Sequence, residues 1–85
     1  MTRDIIHQPE KRLFTVTEDG FDAYVEYTVH NGAFDIIHTF VPKEIGGRGI
    51  AGELVEVAYS YAEAMGLSLK ASCSYAAAWL LRNLK

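Results

Sequence analysis

The segment IGGRGIAG, Ile45 to Gly52, sets Gly47, Gly49 and Gly52 at the spacing G-x-G-x-x-G. A string of this kind lets the backbone approach a pyrophosphate closely, and the N–H groups of a following helix then act as donors. Cys73 lies between the apolar segment LSLKA and the run SYAAAWLLRNLK, where a strand turns into a helix. A helix N-terminus favours the thiolate over the thiol, although an inert, buried cysteine is the competing reading. His38 is a general base by residue type, because its unperturbed pKa of about 6.5 suits proton abstraction from an ammonium group. Glu26 is a rival base, whose pKa partial burial would raise.

The glycine spacing fails the tests for two nucleotide-binding folds. A dinucleotide fold needs an acidic residue near the end of the next strand to hold a ribose hydroxyl, and it needs far more chain than 85 residues. Here the corresponding stretch is KASCSY, without Asp or Glu. A nucleotide P-loop needs Lys-Ser or Lys-Thr after its last glycine, and neither is present. What remains is a glycine-rich entrance to a helix with unpaired N–H groups, which serves either an anion or merely a tight strand-to-helix turn.

The elements that position these residues are legible from pattern. Asp19-Gly20 and Asn31-Gly32 predict tight hairpin turns between strands at about 12–17, 21–30 and 33–41, with Glu18 facing Phe21 and His30 facing Ala33. Period-two alternation then assigns Phe14, Val16, Ala23, Val25, Tyr27, Val29, Phe34, Ile36 and Phe40 to a core face. His38 falls on that same face, opposite Val25. The other face, carrying Leu13, Thr15, Tyr24, Glu26, Ile37, Thr39 and Val41, is expected to be the working face. Pro42 ends the third strand, and from about Gly49 apolar residues recur at helical spacing up to Gly66, which suits a left-handed C-cap. A short strand over 67–71 and a final helix to Lys85, capped by Ser72 or Ser74, complete the order β-β-β-α-β-α. The fold class is α+β, with a mixed, mainly antiparallel sheet and two helices.

With 49% hydrophobic residues, the chain can fill one compact core, so residues 1–85 read as a single domain. The formal net charge of -3 and the scattered lysines and arginines argue against nucleic acid as a partner. A lone cysteine cannot form an internal disulfide, and no run has the length of a signal peptide core or a membrane span. The expected setting is a reducing cytoplasm, with no membrane partner and no metal site.

The string from Val41 to Ala51 resembles motif A of the GNAT superfamily of N-acetyltransferases, [QR]-x-x-G-x-[GA], aligned on Gly46, Gly49 and Ala51. More narrowly, HTFVP (His38 to Pro42), the G-x-G-I-A run from Gly47 and CSY (Cys73 to Tyr75) resemble very small, single-domain GNAT-like proteins. The resemblance implies a truncated GNAT-like fold with acetyl-CoA held between the third strand and the strand after the long helix. It further implies that Thr39, Phe40 and Val41 face the pantetheine arm, and that Gly46, Gly47, Arg48, Gly49, Ile50, Ala51 and Gly52 face the phosphates. Cys73 would then lie beside the acetyl thioester, as acetyl acceptor or as support for direct transfer, and His38 would be the base. Tyr75 would protonate the departing thiolate, or would pack with Trp79 as ordinary core. The implied activity is acetyl transfer from acetyl-CoA to an amine, by a monomer or weak dimer; the alternative is a coenzyme A or acyl-CoA binding module with little turnover. In one respect the sequence departs from the pattern: Gly46 stands where the family carries Arg or Gln.

Overall fold

A computed structural model describes residues 3–83 of the chain. In order along the chain come β1 (Ile6–Gln8), β2 (Leu13–Glu18), β3 (Phe21–His30), β4 (Ala33–Phe40), a short 3-10 turn (Lys43–Ile45), α1 (Ile50–Ala64), β5 (Ser68–Ala71) and α2 (Ser74–Asn83). They form one sheet in the order β1-β2-β3-β4-β5, antiparallel except for the parallel β4–β5 pair. The predicted α+β class holds, with β1 as an additional edge strand. Residues 84 and 85, where the last helix was expected to end, lie outside the described residues.

Both hairpins turn as their sequences require. Asp19 and Gly20 have φ of 53° and 81°, and Asn31 and Gly32 have 52° and 75°, so both central residues of each turn are left-handed. That geometry matches the twist of the flanking strands and fixes the pairs Glu18–Phe21 and His30–Ala33, as the two-residue turns predict. The β2–β3 register then follows without interruption to Leu13–Glu26.

The β3–β4 register does not. A bulge leaves Tyr27 opposite Ile36 but Glu26 opposite His38, with Ile37 as the extra residue on β4. One inserted residue inverts the facing of everything beyond it. His38 therefore leaves the core face expected for it and stands opposite Glu26, with its ring 5.7 Å from that of Tyr24. Phe40 turns outward with it and is 45% exposed, while Thr39 turns to the helix side. Val29, also assigned to the core, is exposed near the strand end.

The core is formed where α1 lays Leu54, Val55, Ala58, Tyr59 and Ala62 on Val25, Phe34 and Ile36 of the sheet. Ile45 from the 3-10 turn and Ile50 at the helix start are buried there too, anchoring both ends of the glycine loop. Gly66, at φ 77°, ends α1 in a left-handed cap. Its N–H donates to the Glu63 carbonyl at 3.0 Å, and the Leu67 N–H donates to the Ala62 carbonyl at 2.9 Å, the paired bonds of a Schellman turn. Met65, at the C-cap of the helix, is exposed. Among the described residues, no helix is long and apolar enough to cross a membrane.

Candidate functional site

The loop between β4 and α1 is held in shape by its ends and its glycines. Gly47 and Gly49 have φ of 76° and 81°, in the region that L side chains avoid, whereas Gly46 has an ordinary φ of -71°. Gly49 is the N-cap of α1 and no side chain caps the helix. The Glu53 N–H is the first to bond back, to the Gly49 carbonyl at 3.1 Å. The N–H groups of Ile50, Ala51 and Gly52 thus end the helix without an intrahelical acceptor, at the positive end of its dipole.

These donors border an open pocket of about 240 Å³ lined by Val41, Ile45, Gly46, Gly47, Gly49, Ile50, Ala51, Gly52 and Tyr75. The packing brings Tyr75, distant in sequence, to the loop: a Cβ on Gly52 would lie only 3.3 Å from the Tyr75 hydroxyl. A side chain at position 52 would therefore have to push the Tyr75 hydroxyl aside by a few tenths of an ångström. Thr39, Phe40, Arg48, His38 and Cys73 lie outside the pocket lining.

Cys73 caps the second helix. Neither Ser72 nor Ser74 does so: the Cys73 carbonyl accepts the first helical bond, from Ala77 N–H at 2.9 Å. Its Sγ lies 3.5 Å from Thr39 Oγ1. Burial pushes the thiol up, but the Thr39 hydroxyl and the N–H groups of Ala76, Tyr75 and Thr39 stabilise the thiolate and carry it below the ordinary thiol range. The half-buried Cys73 and Thr39 thus form a pair across the gap between α2 and β4.

Asp35 fixes this junction, a role the sequence reading did not find. Its carboxylate accepts from Ser72 N–H and from the Ser72 hydroxyl, both at 2.7 Å. The N–H groups of Ser72 and Cys73 also donate to the Ile36 carbonyl, at 3.1 and 3.0 Å. Pairing of β4 with β5 ends at Ile36–Ala71, while β4 runs on to Phe40 beside β3. Among the described residues, no strand lies alongside that edge of β4 from Ile37 onward, and the Cys73–Thr39 pair spans the gap between β4 and α2 instead. The signal for Asp35 was its place on a strand edge, readable only once the parallel partner is known.

His38 and Glu26, treated in sequence as rivals on different faces, are cross-strand neighbours on the open face of the sheet. Arg48, next to the loop in sequence, directs its guanidinium to Glu18 at 2.8 Å and Asp19 at 2.7 Å. Arg3 bridges Glu18 and Glu53 and donates to the Arg48 carbonyl at 2.9 Å. Hydrogen bonds from Arg48 and Arg3 hold the Glu18 carboxyl below the usual carboxylate range, and Arg3 does the same for Glu53.

A family model described as GCN5-related N-acetyl-transferase matches residues 13–85. Among solved structures, the chain is similar to the solution structure of a GCN5-like candidate N-acetyltransferase from Staphylococcus aureus. The two share 29% identity with a TM-score of 0.72, over 96% of this chain and 82% of that one.

Proposed function

The chain belongs to the GCN5-related N-acetyltransferases, an acetyltransferase by family and fold, and from that premise we propose that it moves an acetyl group from acetyl-CoA to an amine at the gap between β4 and α2. The observation that carries this reading is the uncapped start of α1. Three N–H donors converge there on a pocket whose left-handed glycines keep the approach free of side chains. A pyrophosphate satisfies both the orphaned donors and the helix dipole.

Acetyl-CoA supplies the acetyl thioester, whose carbon–sulfur bond is exchanged for a carbon–nitrogen bond to the acceptor. The loop from Gly46 to Gly52 holds the phosphates through its backbone, and the free edge of β4 at Thr39, Phe40 and Val41 lines the path of the pantetheine arm. His38 stands beside Glu26 on the face of β4 opposite Thr39 and Cys73, so it serves an acceptor that arrives from the open face of the sheet, taking the proton its ammonium must lose before the nitrogen can attack. Tyr75 Oη, at the pocket wall, returns a proton to the departing sulfur. The lowered thiol of Cys73 supports a second route, in which the acetyl group rests on Sγ before reaching the amine.

Thiol release from acetyl-CoA across a panel of primary amines tests the reading. Amine-dependent release well above the protein-free rate is expected. If coenzyme A raises the melting temperature while release stays at background, the protein is a binding module and the catalytic reading fails. Intact mass after exposure to acetyl-CoA separates the two routes, since only the covalent one adds an acetyl group to Cys73.

A further inference from the structure

The arginine of the glycine loop is held away from the pocket it borders. Arg48 lies between the two left-handed glycines, yet its side chain does not line the pocket. Its Nη1 donates instead to Glu18 Oε2 at 2.8 Å and Asp19 Oδ2 at 2.7 Å, at the tip of the β2–β3 hairpin. Arg3 takes the other oxygen of Glu18 at 2.7 Å, pairs with Glu53 of the first α1 turn, and donates to the Arg48 carbonyl at 2.9 Å. The cation of the loop is therefore already bound to two carboxylates. These contacts are open to water, with the side chains of Arg48 and Asp19 40% and 64% exposed.

We propose that Glu18 and Asp19 act as resident anions that set the affinity of the loop: a phosphate of the acyl-CoA must displace them from Arg48 to gain its guanidinium. This rests on the reading that the loop holds coenzyme A. Arginine pairs with phosphate as well as it does with carboxylate, and often bidentately. Exposed carboxylate pairs are weak and exchange readily, so the displacement is inexpensive but not free. The hairpin thus neutralises an arginine that would otherwise stand unpaired beside a helix N-terminus.

A double-mutant cycle read by calorimetric titration with coenzyme A tests the proposal, using the wild type, Asp19→Asn, Arg48→Ala and the double variant. Asn keeps the turn, since it tolerates the left-handed φ of 53° that position 19 adopts. Asp19→Asn should tighten binding roughly two- to fivefold, the scale of an exposed ion pair. Arg48→Ala should weaken binding, and in its background the Asp19→Asn gain should shrink to nearly nothing. An equal gain in both backgrounds would mean that Asp19 acts only through its long-range charge, and the proposal would be wrong; no gain in either would also refute it. Wild-type binding with an unchanged Asp19→Asn affinity overturns the proposal alone. Absence of binding in both proteins, with melting curves showing that they are folded, overturns the coenzyme A reading with it.

Discussion

Replacing Gly46 by arginine restores the side chain that the family pattern places at the start of the loop. The backbone allows it, because Gly46 has φ -71° and ψ 162°, a conformation open to any residue. A Cβ built there meets the Lys43 carbonyl oxygen at 3.4 Å, which is ordinary contact. Losing the flexibility of glycine in the unfolded chain should add about 0.4–1 kcal/mol of stability. A guanidinium hydrogen bond to phosphate is worth about 1.5–3 kcal/mol, and ordering the side chain costs about 0.5–1.5 kcal/mol. The balance, near 1 kcal/mol, predicts coenzyme A binding roughly fivefold tighter. Calorimetric titration at low and high salt, with thermal melting alongside, reads both quantities. A folded Gly46→Arg protein that binds coenzyme A no better than the wild type at either salt concentration would refute the reasoning. Gly47→Ala and Gly49→Ala provide the contrast: at φ of 76° and 81° each should cost about 1–2 kcal/mol and weaken binding as well.

Other expectations concern the cysteine, its junction and the core. Alkylation of Cys73 by iodoacetamide should titrate below the usual thiol value of about 8.5, and Thr39→Val should move that midpoint upward. A thiol depressed in the folded state adds stability above its unfolded pKa and loses it as pH falls through the folded value, so wild-type stability should gain more than Thr39→Val over that window. Asp35→Ala removes the acceptor of two Ser72 bonds, so amide exchange at Ser72 should quicken about tenfold while exchange in β2 stays unchanged. Phe34→Ala empties the centre of the core beneath Tyr27 and Tyr59 and should cost about 3–5 kcal/mol in urea unfolding.

The order of elements after β1 was readable because local chemistry dictates it. Asp-Gly and Asn-Gly each fixed a turn type and thereby a register, and Gly66 marked where α1 must stop. The glycine loop was equally legible, since positive φ at Gly47 and Gly49 is a demand only glycine meets without strain. The bulge was not legible. Ile37 is an ordinary strand residue that carries no local mark of a bulge; yet its insertion decides that His38 joins Glu26 and that Thr39 meets Cys73. β1 escaped notice because three residues beside Pro9 carry little periodicity. What holds it to the sheet is a long-range contact, His7 stacked on the Phe14 ring at 4.1 Å. The capping role of Cys73 was hidden by serines on both sides, which are the better N-cap formers by type. Asp35 had already engaged Ser72, leaving the thiol to face the helix.

Backbone amide shifts during titration with coenzyme A locate the ligand on the fold residue by residue. Saturable changes concentrated at residues 46–52 and along 38–41 are expected, with Ile6 to Gln8 of β1 unmoved. Saturable shifts confined instead to the groove lined by Arg3, Ile5, Glu53, Glu56, Val57 and Ser60, or no shifts at millimolar ligand, would contradict this placement.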